Sequence, residues 1–471
     1  MRLHQARSAA VLVVACIGLL GAAVSSRAAE RFPAAEWERS DPDGAGWSTL
    51  KLKKAEVWSK AINSTAVMVV EHGVVVTEWG DTIAKTPLAS VRKSLLSALI
   101  GNAVERGQLD LSRSIGALGI DDNEPSLSAE EKGATVRDLI TARSGVYHPA
   151  LYESPGMAAG RPVRFSHKPG SFWYYNNWDF NTLGTIYERA VRSSIFDAFE
   201  REIARPVGMQ DYRAADGQYV TGSGSVYPAY PIEMSARDLA RFALLYLREG
   251  RWHDKQVIPA WWVRESIKPY SRSQFGPGYG YMWWLAPIEN NIVPSVKLPE
   301  GTFYAHGYGG QFAFIIPAYD IIVVHRAQHM GPGVNLREMG RLLWLLFDSR
   351  GLTGFGEDAS IEAARLPRVP GEMLSTLLEG KTLIYGEAAA EGPYRLRLSS
   401  EGQLAFVRSK DGTELDTGVW SIRDNQFCRE LKKLEPRKLC LSIVSDGTKV
   451  QLFDPRGLMY IDARIEATTD R

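Results

Sequence analysis

Cysteine is scarce in this chain, with three among 471 residues. That count excludes a multi-disulfide scaffold and a cysteine-rich zinc module. An excess of one charge is also lacking: 55 basic residues face 54 acidic ones, for a net charge of +1. No basic surplus points to nucleic acid, and no acidic tail is present. After the N-terminus no stretch is long and apolar enough to span a bilayer. Neither an internal repeat nor a low-complexity tract occurs. The Gly-x-Ser-x-Gly elbow of one large class of serine hydrolases is missing. His325 and His329 have metal-like spacing but no third ligand accompanies them, so neither a metal nor a cofactor is expected.

What is present is an ordinary globular composition, 45% hydrophobic and 23% charged. The length exceeds one ordinary core and suggests two domains, or one large domain with an appendage. The N-terminus reads as an export signal: Arg2 and Arg7 precede an apolar run from Ala9 to Val24, and Ser26-Arg27-Ala28 offers small residues for cleavage after Ala28. An uncleaved anchor would want a longer run. A lipid-attachment site at Cys16 would want a polar tether, where Ile17 to Val24 is apolar. Residues 1–28 are therefore expected to be removed, placing the protein in the periplasm or medium. Cys428 and Cys440 remain, and in an oxidising compartment they are expected to pair across a charged, loop-like segment. The alternative is two free buried thiols.

Periodicity predicts a helix over 47–61 with Ser48 as N-cap, then a hairpin of 66–70 and 74–79 around His72-Gly73. Ser90 opens an apolar helix that Gly107 ends, and further helices are predicted at 135–142, 181–192, 194–203, 235–248 and 338–347. Strands are predicted at 311–316 and 320–325. This order, strands then helices then strands and a helix, fits an antiparallel sheet flanked by helices with a helical insert, an α/β (α+β) architecture over residues 29–350. Residues 351–371 read as a linker. From 372 to 471, short strands at 382–385, 394–398, 404–407, 419–422, 439–444 and 450–453 form a small all-β domain.

Three stretches could carry chemistry. Ser90-Val91-Arg92-Lys93 places a hydroxyl and an amine one turn apart on one helix face, and burial can make that lysine a base. The helix N-terminus adds N–H groups for an oxyanion. Ser48-Thr49-Leu50-Lys51 has the same spacing, but its lysine-rich continuation is a surface pattern, whereas Ser90 leads into an interior helix where a lysine is costly unless used. In Pro169-Gly170-Ser171-Phe172-Trp173-Tyr174-Tyr175-Asn176-Asn177, a tyrosine can relay protons and an asparagine can hold an amide. Both Tyr174/Asn176 and Tyr175/Asn177 satisfy this reading. In His306-Gly307-Tyr308-Gly309-Gly310-Gln311, glycines before a strand allow close backbone approach, and the N–H of Tyr308 could be a second oxyanion donor. A glycine-rich turn with a satisfied histidine, and an aromatic loop packed on the core, are the plain structural alternatives.

In order and spacing these stretches resemble the serine β-lactamases and penicillin-binding proteins, over roughly residues 47–350. Ser90-x-x-Lys93 is similar to the family's first motif. Pro-Gly five residues upstream selects Tyr175 with Asn177 for the second, as in class C β-lactamases, D-alanyl-D-alanine carboxypeptidases and their esterase relatives. Tyr175-Asn176-Asn177-Trp178-Asp179-Phe180-Asn181 and Gly309-Gly310-Gln311 look closest to 6-aminohexanoate-dimer hydrolases. The chain departs from the family at its third motif, where His306-Gly307 stands for Lys-Thr-Gly, and the Ser-Asp-Asn motif of class A is absent. Loss of that lysine weakens the case for β-lactams.

The resemblance implies an acyl-enzyme on Ser90, with Lys93 and Tyr175 moving the proton and the N–H groups of Ser90 and Tyr308 holding the oxyanion. Asn177, His306, Gly307, Gly309, Tyr147 and Trp178 are expected at the substrate, and Tyr152, Trp173, Trp283 and Trp284 are further candidates for the pocket wall. The expected partner is a small ester, amide or peptide: ester or amide ranks first, cell-wall peptide second and β-lactam third. A non-catalytic penicillin or peptide binder on the same fold is the alternative.

Overall fold

The computed structural model describes residues 30–272, 278–286, 296–328, 333–355, 367–386, 393–409, 411–434, 438–455 and 459–467. The expected signal segment, Cys16 and His329 lie outside the described residues, as does the middle of the predicted linker.

The first part of the chain opens with helix α1, Thr49–Ala61, whose N-cap Ser48 accepts a hydrogen bond from Lys51 N–H. The hairpin β1, Ser64–Glu71, and β2, Val74–Gly80, follows. A 3-10 turn, Ala89–Val91, leads into α2, Arg92–Glu105. The helical insert contains α3 (Val136–Ile140), α4 (Pro155–Ala159), α5 (Asn177–Val191), α6 (Ile195–Phe199) and α7 (Ala236–Leu247). Short strands β3 (Thr86–Pro87) and β4 (Glu233–Met234) pair with each other, as do β5 (Arg251–Trp252) and β6 (Lys255–Gln256), which precede α8 (Ala260–Ser266). The chain returns through β7 (Ser271–Arg272), β8 (Gly278–Tyr279), β9 (Trp284–Leu285), β10 (Phe303–Gly307), β11 (Gln311–Ile316) and β12 (Ile321–Ala327), then ends this part with α9, Leu336–Arg350.

These strands make one eight-stranded sheet in the order β2-β1-β12-β11-β10-β9-β8-β7. Strand β1 comes from the start of the chain and pairs antiparallel with β12 from far along it, as the sequence order implied. The sheet is buried on both faces. Met68, Val70, Ile322, Val324 and Ile315 face the core that holds α2, α5 and α7, while Val67, Val69, Val323 and Phe314 face the core under α1 and α9. Period-two alternation thus feeds two separate cores. Trp58 Nε1 donates to the Glu338 carbonyl at 3.1 Å, tying α1 to α9. Helix α2 is buried on nearly all sides from Arg92 to Ala103, which suits its lack of an amphipathic stripe.

The second part contains a helix, Gly371–Leu378, and eight antiparallel strands, β13 (Lys381–Tyr385) to β20 (Met459–Ala467), closed by pairing of β13 with β20. The expected small all-β domain is therefore a barrel, which removes its edges. Two of its strands, Gln426–Leu431 and Met459–Ala467, were not evident in the sequence. Cys428 lies within the first of these, opposite Cys440 in register, and the two are disulfide-bonded. The bridge thus staples adjacent strands. The expected loop between the cysteines is strand at both ends, where Gln426–Leu431 pairs with Leu439–Ser445.

Gly101 shows how tightly α2 is held: a Cβ there would stand 2.4 Å from the buried ring of Trp262. Alanine is the better helix former by about 1 kcal/mol, but overpacking of this kind costs roughly 1–3 kcal/mol. We expect Gly101→Ala to lower the thermal unfolding midpoint; an unchanged or raised midpoint would show that α2 and α8 are not packed this closely.

Candidate active site

The site grows from a backbone constraint. Ala89, just before Ser90, has φ +48°, a left-handed conformation that costs a non-glycine residue about 1–3 kcal/mol and persists only where packing holds it. The packing comes from β10: a Cβ on Gly307 would stand 2.4 Å from the Leu88 carbonyl oxygen and 3.1 Å from Ala89 Cβ. Gly307 therefore lies against the turn that presents Ser90. The expected close approach by a glycine is real, but it is made to this turn.

Lys93, one turn into the helix, is buried, and its Nζ lies 2.8 Å from Ser90 Oγ and 2.7 Å from Tyr175 OH. The amine also sits 4.4 Å from the Tyr175 ring centre and 4.8 Å from that of Phe180. Burial, assisted by the neighbouring charge of Arg92, holds the Lys93 pKa well below the ordinary lysine value. Burial pushes the Tyr175 phenol up to about 12, partly offset by its hydrogen bond with Ser90, so it stays protonated near neutrality. A neutral amine between a hydroxyl and a phenol can accept the first proton and pass it to a leaving group through the second.

The two tyrosine registers are resolved by geometry. Tyr174 OH donates to the Met157 carbonyl at 2.5 Å, whereas Tyr175 reaches Lys93. The separation follows from the cap of α5: Asn176 accepts from Trp178 N–H at 3.0 Å and donates to the Val146 carbonyl at 2.7 Å. Helix α5 thus begins at Asn177, one turn before the predicted 181, because the cap lies inside the motif. Asn177 donates through Nδ2 to the Tyr152 carbonyl at 2.5 Å, and its buried Oδ1 has no hydrogen-bond partner among the described residues.

Other expected residues divide between site and core. His306 lies on β10, which was read as part of a loop. Its ring stacks on the cross-strand Phe312 at 4.4 Å. Burial and the proximity of Lys93 lower its pKa to about 4, so it is neutral. Tyr308 projects its side chain into solvent in the turn after β10, and Gly309 follows with φ +80°. Trp284 stacks on Tyr175 at 5.4 Å, and Trp173 packs edge-on against Trp284. Tyr279 and Phe180, which sequence reasoning missed, complete this aromatic surround at 5.9 and 5.1 Å from Tyr175; aromatics are too common for spacing to single them out.

Trp178, by contrast, is fully buried in the helical core and donates to Asp122 Oδ2 at 2.7 Å, so it is a supporting residue rather than pocket lining. Trp283 is buried likewise. Tyr147 is buried edge-on against Tyr174 and His167, on the side of the unused register. His325 is committed structurally: one ring nitrogen meets Ser64 Oγ at 2.7 Å and the other the Gly310 carbonyl at 2.7 Å. Among the described residues no cluster of three metal-ligating side chains occurs.

Comparison with known proteins bears on the same region. A family profile described as Beta-lactamase matches residues 38–346. An uncharacterized protein of Alkalihalophilus pseudofirmus is 22% identical over 303 residues, covering 57% of this chain and 85% of its own. A solved structure from Bacillus anthracis, provisionally assigned as a 6-aminohexanoate-dimer hydrolase, is 21% identical with a TM-score of 0.50, over 68% of this chain and 87% of that one; at this identity the likeness is one of fold. The octameric penicillin-binding protein homologue from Pyrococcus abyssi is 16% identical with a TM-score of 0.49, over 88% of this chain and 100% of its own.

The placement of Trp178 predicts how it responds to mutation. Trp178→Phe removes a buried hydrogen bond to a carboxylate, worth roughly 1.5–3 kcal/mol. It should lower the denaturation midpoint while leaving KM for any turned-over ester within about twofold, since no substrate contact is lost. A large rise in KM with unchanged stability would return Trp178 to the pocket wall.

Proposed function

Since this chain belongs to the beta-lactamase family, we propose that it is an exported serine hydrolase that cleaves a small ester or amide through an acyl-enzyme on Ser90. The observation that carries this reading is the buried Lys93 amine within hydrogen-bond distance of both Ser90 Oγ and Tyr175 OH. Ser90 Oγ attacks the carbonyl carbon as its proton passes to Lys93. The N–H groups of Ser90 and Tyr308 receive the oxyanion. When the tetrahedral centre collapses, the bond to the leaving oxygen or nitrogen breaks, and the Lys93–Tyr175 unit returns the proton to it. Water then attacks the acyl-enzyme ester, giving up its proton to the same unit, and Ser90 regains its own. Asn177, two residues after Tyr175, keeps a buried Oδ1 without a hydrogen-bond partner among the described residues, an acceptor left over for an amide N–H that reaches it.

Two further features support the assignment. His306 is neutral and stacked on Phe312, so the third-motif position offers no fixed cation for a substrate carboxylate, which favours neutral esters and amides over β-lactams. The disulfide between Cys428 and Cys440 suits an oxidising compartment and so agrees with export.

Intact-protein mass after brief incubation with an activated ester, a fluorophosphonate and a penicillin tests the reading. We expect an adduct in the wild type and in Ser48→Ala, and none in Ser90→Ala. An undiminished adduct in Ser90→Ala would remove Ser90 as nucleophile, and no adduct with any reagent would favour a non-catalytic peptide binder. The pH dependence provides a second check. Lys93 must lose its proton to act, so kcat/KM should rise with pH through the lowered Lys93 value. That acid limb should lie well below lysine's ordinary 10.5. A limb at the ordinary lysine position would mean that Lys93 is not held neutral.

A further inference from the structure

Arg92 is an unusual neighbour for a buried base. It stands next to Lys93 at the start of α2, only 1% exposed. Its Nη1 donates to the Ala89 carbonyl at 2.9 Å, while Nε and Nη2 are buried with no hydrogen-bond partner among the described residues. No carboxylate pairs with it among those residues. Instead the guanidinium carbon lies 5.1 Å from the ring centre of Tyr152 and 5.1 Å from that of Tyr230. A buried guanidinium normally has a carboxylate, since an uncompensated charge is expensive. Two ring faces and one carbonyl are weaker compensation, and they hold the charge in place without cancelling it.

The groups around Lys93 make that charge count. Ser90 from the 3-10 turn and Tyr175 and Phe180 from α5 and the loop before it are uncharged. His306 from β10 is neutral above about 4. Tyr230 and Tyr279, from the segments facing Arg92 and Tyr175, are pushed up by burial and remain phenols. Asp179, behind the Tyr175 loop, is pushed well above the usual carboxylate range by burial and binds Ser144 Oγ at 2.5 Å. Among the described residues, Arg92, adjacent to Lys93 in the chain, is thus the charged group that acts on the amine.

We propose that Arg92 is a positioning residue of the acyl-transfer site: clamped between Tyr152 and Tyr230, its unpaired positive charge keeps Lys93 in the uncharged, proton-accepting form, while its bond to Ala89 secures the turn before Ser90. This rests on the assignment of Ser90 and Lys93 above. A like charge on the neighbouring residue disfavours the ammonium, so removing it lets Lys93 hold its proton to higher pH.

The test is the rate of fluorophosphonate labelling as a function of pH, read by intact mass, in wild type, Arg92→Met, Arg92→Lys and Tyr152→Ala. Arg92→Met should move the acid limb upward by about one pH unit, so that labelling on that limb falls about tenfold. Arg92→Lys puts a second amine at a buried position without an anion, where burial favours its uncharged form, so its limb should also move upward, by no more than that of Arg92→Met. Tyr152→Ala removes a partly exposed ring but not the carbonyl that holds Asn177, and should move the limb in the same direction by a smaller amount. A merely structural role would lower the whole profile without shifting it. An unshifted limb in Arg92→Met overturns the proposal, as does an unshifted limb in Tyr152→Ala if Arg92→Met does not fold. Labelling that survives in Ser90→Ala would instead overturn the assignment on which it rests.

Discussion

A lysine amine cannot be taken out of water as an ammonium without a partner, and the arrangement of this domain follows from that cost. Lys93 is buried with a hydroxyl and a phenol as its hydrogen-bond partners, neither of them an anion. The low-dielectric surround therefore favours the neutral amine. To bury it, α2 has to pass through the interior, and it does so packed on nearly every side, with Trp262 pressed against Gly101. The aromatic cluster of Trp173, Phe180, Tyr279 and Trp284 serves the same end around Tyr175, because large rings exclude water while leaving the phenol oxygen directed at the amine.

Burial alone would leave the amine without the Ser90 hydroxyl beside it. The sheet supplies the rest. Strand β10 ends in Gly307, and only a residue without Cβ lets that strand meet the Leu88–Ala89 backbone. The same contact holds Ala89 at positive φ, which turns Ser90 toward Lys93. Strand β12 supports the turn that follows β10, since His325 bonds the Gly310 carbonyl and Ser64 together. A Gly310 carbonyl can only accept, so His325 must carry its proton on Nδ1, and Ser64 must donate to Nε2. The turn bearing Tyr308 is thereby anchored to the hairpin strand β1, far away in sequence.

Much of this was legible before any coordinates. Ser90 could be preferred to Ser48 because the residues after each differ in kind, and Ser48 proves to be the helix cap that its lysine-rich continuation implied. The two-ended sheet followed from element order. What was not legible has physical reasons. Strand β10 is only five residues and ends in glycine, so it reads as loop; its identity comes from pairing with β11. Trp178 and Trp284 have the same composition signal, yet one donates to a buried Asp122 and the other stacks on Tyr175. Nothing local in the sequence distinguishes a tryptophan buried in the core from a half-buried one stacked on Tyr175. The barrel strand that carries Cys428 was hidden by its charges, since Arg429 is buried beside Phe427 and Cys428 and burial along it does not alternate.

The second motif shows how a local rule can decide a functional register. Two tyrosines in sequence differ by one residue, and a strand or loop sends neighbouring side chains to opposite sides. Which one meets Lys93 is set by where α5 begins. Asn176 is the residue that can cap: its side-chain oxygen takes the Trp178 N–H, and its amide ties the cap to Val146. With the cap fixed there, Asn177 is the first helical residue, Tyr175 immediately precedes the extended cap, and Tyr174 donates to the Met157 carbonyl. The asparagine left over from the unused register is therefore what holds the used one in place, and a change at Asn176 would act on the Lys93–Tyr175 contact through helix geometry without touching either residue.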